Sequence, residues 1–281
     1  MEQLKDKRKL LTLNAHSWIE ENSEEKFQIL VKAVENEQYD VIALQEINQL
    51  AKSEVVPLDS PLLERYVPIG ELPPVKENNF VLQLVRELEQ RGLFYYWSWV
   101  PSHRGYEGYE EGLAMMSLKP ITAIKKGFAS KAQTFYEFAR AVIGICVEDT
   151  WFYSVHFSRW DEEEDNFKYQ WDSFLKLSKD TMDKKVYVMG DFNCPAYIKG
   201  EGYSYVVEDG TFRDCYMLAK EKLGEYTVPQ VIDGWRDTKE SIMRIDFVFA
   251  NYDADVVQYQ VVFDGERGEV VSDHYGVVVI V

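Results

Sequence analysis

The chain has 281 residues, of which 46% are hydrophobic and 28% charged, a balance that excludes a disordered or low-complexity polypeptide. Lys and Arg number 31 against 48 Asp and Glu, giving a formal net charge of −17. Polyanions and anionic membrane surfaces are therefore repelled at long range, while screening over about 8 Å leaves any local site to its own charges. Three cysteines, none in a CxxC pair, make no disulfide framework and favour a reducing compartment. MEQLKDKRKL offers no apolar leader and the longest apolar run, VVVIV, is too short to span a bilayer, so a soluble cytoplasmic protein is expected.

In chain order, β-branched or apolar runs that stop abruptly at polar residues predict strands. They are KLLTLN (9–14), DVIALQE (40–46), FYYWSWV (94–100), GLAMMSL (112–118), RAVIGICV (140–147), WFYSVHF (151–157), KVYVMGD (185–191), RIDFVFA (244–250), VVQYQVVF (256–263) and YGVVVIV (275–281). The last four alternate poorly and read as strands buried on both faces. Helices are expected at 23–38, with Ser23 as N-cap and Phe27, Leu30, Val31 and Val34 on one face, and at 79–91, ended by Gly92. A third is expected at 163–182, with Phe167, Trp171 and Phe174 inward, and a weaker one at 214–223 before Gly224. The proline-rich stretch 53–77 reads as an insertion loop, because the strand–helix rhythm continues on both sides of it. Many strands with few helices predict two packed sheets covered by helices in one domain.

Polar residues cluster where these strands end: Asn14, Gln45 and Glu46, His156, Asp191 and Asn193, Asp246, then Asp273 and His274 before the last strand. A single carboxylate at a strand end is an ordinary turn residue. The recurrence of the pattern at five separate places points to a site mounted on a rigid sheet. Glu46, Asp273 and Asn14 offer hard oxygen ligands suited to Mg²⁺ or Mn²⁺. His156, His274 and Asn193 have donors for a phosphoryl oxygen. Asp246 can orient His274 and raise its pKa, which leaves Asp191 to orient or deprotonate a water. Together these are the parts for in-line hydrolysis of a phosphate ester.

LLTLN, ALQE, SVHF, MGDFN, RIDFVF and SDH, in this order over residues 9–281, resemble the endonuclease/exonuclease/phosphatase superfamily, whose members include DNase I-like nucleases and phosphatases of sugars and inositides. The resemblance implies an α+β fold, a four-layer α/β/β/α sandwich with the site at one end of the sheets. It implies Glu46 as chief metal ligand with Asn14 and Asp273 nearby, Asp191 positioning the water with Asn193, and His156 and His274 on the scissile phosphate, His274 being paired with Asp246. It also implies a further glutamate before GLAMMS, either Glu110 or Glu111, and a phosphate-facing or core role for Tyr153.

The substrate must be read from finer features. There is no clustered basic segment, only the Lys5–Lys9 fringe and the pairs Lys125–Lys126 and Lys184–Lys185, where a nuclease needs several phosphate contacts. Aromatic residues follow the catalytic strand ends: Trp18, Trp160, Trp235, Tyr106 and Tyr109 are candidate walls for a sugar ring. NAHSW, HFSRW, MGDFN and GW before RIDFVFAN resemble a bacterial sugar-phosphatase branch, most like that of the maltose 6′-phosphate phosphatases. The expectation is a cytoplasmic Mg²⁺-dependent phosphomonoesterase acting on a sugar phosphate, with no membrane or nucleic-acid partner. The alternatives are a nuclease or phosphodiesterase of the same fold and, from another class, a catalytically inactive binding module.

Overall fold

The computed structural model describes residues 7–70, 74–105, 108–135, 137–229, 232, 235 and 242–281. Its strands are β1 (Lys9–Asn14), β2 (Val41–Leu50), β3 (Tyr96–Arg104), β4 (Tyr109–Ser117), β5 (Ala123–Phe128), β6 (Ala141–Val147), β7 (Thr150–His156), β8 (Lys185–Asp191), β9 (Arg213–Asp214), β10 (Glu221–Leu223), β11 (Asp246–Ala250), β12 (Gln258–Val262) and β13 (Gly276–Ile280). Its helices are α1 (Ser23–Glu37), α2 (Phe80–Gln90), α3 (Phe167–Ser178), α4 (Gly202–Val207) and α5 (Cys215–Leu218). One sheet has the order β10-β12-β13-β1-β2-β4-β3 and the other β5-β6-β7-β8-β11-β9. Both are mixed: β1 runs parallel to β2 and β7 parallel to β8, between antiparallel neighbours.

Strand alternation builds the layers. Leu11, Leu13, Ile42 and Leu44 face α1 and α2 and meet Phe27, Val31, Phe80 and Leu84. Leu10, Val41, Ala43, Leu113 and Met115 face the second sheet and meet Phe152, Tyr187, Met189 and Val248. Tyr153, Val155, Val186, Val188, Phe247 and Phe249 face outward again, onto Phe167, Trp171 and Phe174 around α3. Helix, sheet, sheet and helix thus form the four-layer sandwich. Each large side chain is fully buried, and truncating one to Ala costs about 2–5 kcal/mol.

Several boundaries differ from expectation for local reasons. Helix α1 is preceded by Asn22 in the left-handed region with no side-chain cap, so Ser23 is its first residue rather than its cap. Helix α2 begins after Asn79, whose side chain accepts from the Leu82 N–H, and ends before Gly92 at φ 80°. Helix α3 starts four residues later than expected, because Asn166 rather than the acidic run before it accepts from the Tyr169 N–H. The segment 214–223 is one turn, α5, capped by Asp214, followed by β10, which pairs in parallel with β12. Strand β12 alternates, with Gln258 and Gln260 half-buried, unlike the doubly buried strand expected. The edge strand β5, AIKKGF, went unread because its lysines hide the period of two. The described part of 53–77 is a loop with one 3-10 turn at Pro61–Leu63, and its Val56, Leu63 and Val75 join the α1–α2 layer.

Candidate active site

The site is the polar end of the layer between the sheets. Along β7 the inter-sheet positions run Phe152, Ser154, His156; along β8 they run Tyr187, Met189, Asp191; along β11 they run Ala250, Val248, Asp246. On the facing sheet the same parity runs Leu10, Thr12, Asn14 and Met115, Leu113, Glu111. A polar step, Thr12 to Gln45 at 3.3 Å and Gln45 to Ser154 at 2.9 Å, joins the sheets just inside it. Gln45 is therefore an inter-sheet tie rather than a strand end.

Glu46 breaks this parity. Residue 46 would share a face with Ile42 and Leu44 and point at the helices, but β2 is bulged between Leu44 and Ile47 and Glu46 takes φ 55°. The bulge re-aims the carboxylate at a conformational cost of about 1–3 kcal/mol, as bulges beside active sites do. Strand β2 then continues to Leu50, so Glu46 lies within the strand and not at its end. Asn193, at φ 48°, is a second left-handed residue at the site. Gly190, in MGDFN, has no room for a side chain: a Cβ there would lie 2.0 Å from the Val155 carbonyl oxygen. That close approach of β8 to β7 sets His156 opposite Asp191.

Asp191 is the hub. Its Oδ1 accepts from the Asn193 N–H at 2.8 Å, and its Oδ2 accepts from Asn14 Nδ2 at 3.2 Å. Oδ2 also lies 3.5 Å from His156 Nε2 and 3.8 Å from His274 Nε2. His274 Nδ1 donates to Asp246 Oδ2 at 3.0 Å. Burial opposes the charged His274 ring, but Asp246 and Asp191 outweigh it and hold the ring cationic. Burial, reinforced by Arg140 and His274, pushes His156 well below its usual value, so it stands neutral. Burial and the neighbouring Asp246 raise Asp191 against the pull of His274. Asn193 is locked at both ends of its amide: Nδ2 donates to the Phe157 carbonyl at 3.0 Å, and Oδ1 accepts from the Trp235 indole at 2.9 Å.

On the first sheet, Glu46 Oε1 accepts from Asn14 Nδ2 at 2.9 Å. Burial, Glu111 and Asp273 all raise Glu46, with His16 as the opposing cation. Glu111 is the glutamate that faces the site; Glu110 points to the other face, to Lys76 at 2.9 Å and Gln49 at 2.8 Å. His16, which sequence reasoning left without a role, bonds Glu20 through Nδ1 at 2.9 Å and lies 3.9 Å from Asp273 Oδ1. Burial works against its charge, but Glu20, Glu46 and Asp273 raise it to about 9. Glu20 also accepts from the Asp273 N–H, which ties the two loops together. Among the described residues, His16, Glu20 and Asp273 form one group able to hold a metal ion, and Asp191, Asp246 and His274 another.

Arg140 is the second residue missed. It immediately precedes β6, and because β6 pairs antiparallel with β7 it stands at the His156 end of that pair. It is half-buried, touches Ser158 Oγ at 3.4 Å, and meets no carboxylate among the described residues. The hairpin was legible in the sequence, and with it the placement of this arginine.

The aromatic walls largely dissolve into packing. Trp18 packs tilted against Phe27 and edge-on against Phe80 and donates its indole N–H to the Asn78 carbonyl, so it anchors a loop on the helix layer. Trp160 packs against Phe167 and Tyr205 for the same reason. Tyr153 is core, with its hydroxyl bonded to Thr181. Trp235 is buried and holds Asn193 instead of walling a pocket. Tyr109 is half-buried at the start of β4, opposite Leu50; Tyr106 lies outside the described residues.

A family model described as the Endonuclease/Exonuclease/phosphatase family matches residues 20–274. The chain belongs to that family. Similar solved structures include an endonuclease/exonuclease/phosphatase family protein from Leptotrichia buccalis, 29% identical over 97% of this chain and 98% of that one, with a TM-score of 0.83. A mannosyl-6-phosphatase from Bacteroides thetaiotaomicron (13% identical, 98% and 99% covered, TM-score 0.61) shares the fold. So does a 3′ phosphatase from Neisseria bound to a DNA hairpin (17%, 97% and 98%, 0.62). No curated protein matches the sequence. The family implies a divalent metal, and the donor set fits one: Glu111 and Asp273 both raise the buried Glu46, and all three offer hard oxygens. No helix of the described residues is long and apolar enough to cross a membrane.

Proposed function

We propose that this family member is a Mg²⁺-dependent phosphomonoesterase acting on a sugar phosphate, with a disaccharide phosphate such as maltose 6′-phosphate as its substrate type. The observation that carries the hydrolytic reading is the joined set Asn14–Asp191–His274–Asp246, with an oriented Asn193 beside it. Glu46 with Asn14 and Asp273 would hold the metal, which supplies charge neutralisation for the phosphoryl group. Cationic His274, Arg140 and the N–H groups of His156 and Asn193 receive the phosphoryl oxygens. Asp246 fixes the His274 ring so that Nε2 faces the reacting group. Asp191 orients a water in line with the ester bond. The water oxygen bonds to phosphorus, the sugar–oxygen–phosphorus bond breaks at phosphorus, and one water proton finishes on the sugar hydroxyl.

The substrate reading rests on charge. Arg159, stacked 4.7 Å over the Trp235 ring and paired with Asp161, lines an acidic surface pocket together with Asp161, Glu162, Glu163 and Glu164. With a net charge of −17, little counterion release favours a long polyanion, whereas a sugar phosphate brings only about two charges for the site to balance. The fold serves both sugar and DNA phosphatases among the neighbours, so the test compares them directly. Phosphate release is measured on hexose and disaccharide 6-phosphates, nucleotides and 3′-phosphorylated DNA. Turnover of sugar phosphates far above DNA is expected; preferred, salt-sensitive turnover of DNA contradicts the reading.

A further inference from the structure

The loop joining β5 to β6 presents an aromatic ring that the chemistry above leaves unused. Phe138 is 63% exposed. Lone exposed aromatics are ordinary on protein surfaces, but this one is held on two sides. Its ring centroid lies 4.3 Å from that of His103, tilted by 45°, and the Arg140 guanidinium lies 4.9 Å from its centroid. His103 is itself buried at the end of β3. Its Nδ1 is 3.2 Å from the Ala139 carbonyl, which can only accept, so the proton sits on Nδ1. Its Nε2 is 3.7 Å from Glu111 Oε1, on the site face of β4. The stack therefore runs from Glu111 through His103 to Phe138, with Arg140 closing it against Ser158 beside His156.

An apolar face in such a place is fixed before any ligand arrives, which removes most of the ordering cost of binding. It adjoins the phosphate-receiving groups through Arg140, which reaches Ser158 beside His156. A pyranose matches it: one face of the ring is C–H, and the hydroxyl rim can reach the Arg140 guanidinium. We propose that Phe138, seated on His103 and flanked by Arg140, is the platform on which the sugar ring of the substrate stacks. This rests on the sugar-phosphate reading and makes Phe138 a determinant of specificity.

The test compares wild type, Phe138→Ala and Phe138→Tyr on the sugar phosphate that wild type turns over best, on acyclic glycerol 3-phosphate and on a nucleoside monophosphate. The side chain is exposed, and an unchanged thermal midpoint verifies that the variants fold. Phe138→Ala is expected to raise KM for the sugar phosphate about tenfold more than for glycerol 3-phosphate, the scale of one aromatic contact. Phe138→Tyr should restore most of that difference. Equal changes on the cyclic and acyclic substrates overturn the platform and leave the sugar-phosphate reading standing. A larger loss on the nucleotide than on the sugar assigns the platform to a base and overturns it for sugars. A wild-type enzyme that hydrolyses no sugar phosphate overturns the underlying reading and the platform with it.

Discussion

The two sheets bring opposite electrostatics to the same end of the molecule. From β8, β11 and the turn before β13 come Asp191, Asp246 and His274, charges that are wired to each other within 3.0–3.8 Å. From β2, β4 and the same turn come Glu46, Glu111 and Asp273, carboxylates that crowd one another with His16 as their nearby cation. The first group is joined through its own side chains, which orient His274 and set its charge, while Asp246 Oδ1 is buried without a hydrogen-bond partner among the described residues. The second is a set of acids still short of positive charge, in the arrangement that a hard divalent ion satisfies. One half is prepared to receive a phosphate, and the other to receive the ion that accompanies it.

Breaking the acid half should have the largest effect. Glu46→Gln removes one anionic oxygen where charge is needed most, and a metal contribution of several kcal/mol corresponds to a loss of about 10³-fold in kcat/KM. EDTA should produce a comparable loss in wild type, reversed by Mg²⁺ or Mn²⁺. Full activity in EDTA would remove the assignment.

Cutting the wiring of the other half comes next. Asp246→Asn leaves His274 without the carboxylate that orients and charges it; orienting carboxylates elsewhere are worth up to about 10⁴-fold, and a loss of 10²-fold or more in kcat is expected, measured at saturating substrate. A variant that loses thermal stability but keeps its specific activity would make Asp246 a brace for β11 alone.

A smaller effect separates two tryptophans that look alike in sequence. Trp235→Phe deletes the indole N–H that holds Asn193 Oδ1, and should lower kcat up to about tenfold with little change in KM, the scale of one hydrogen bond. Trp18→Phe deletes the bond to the Asn78 carbonyl, and should cost about 1 kcal/mol of stability by denaturant titration with kcat unchanged. Trp160→Ala, which loses its contacts with Phe167 and Tyr205, should follow Trp18 and not Trp235. A matching kcat loss in all three would erase the distinction between positioning and packing.

What was legible in the sequence follows from the period of two. Apolar runs ending at Asn14, His156 and Asp191 placed those residues at one sheet end, and each proves to continue the face that its strand turns to the other sheet. The same rule separates Glu111 from Glu110, since Leu113 and Met115 face the second sheet and 111 shares their parity. It fails at Glu46, where a bulge inverts the parity and nothing in ALQEIN announces one. The aromatic candidates are harder to read for another reason. A tryptophan in a polar loop reads the same whether it lines a pocket or folds back onto the core, and only Phe27, Phe80, Phe167 and Tyr205, distant in sequence, decide it. His103 was hidden because its neighbours, Ala139 and Glu111, come from the β5–β6 loop and from β4.

The contrast between a prewired half and an acid half awaiting a cation is tested most directly by the thermal midpoint with and without Mg²⁺, for wild type and for Glu46→Gln, in the absence of substrate. Ligand binding to the folded state raises the midpoint through mass action. Mg²⁺ should raise that of wild type in a concentration-dependent way, and Glu46→Gln, relieved of one crowded carboxylate, should start as stable or more stable but respond weakly or not at all. An equal response of the two proteins, or no response from either, would contradict the account.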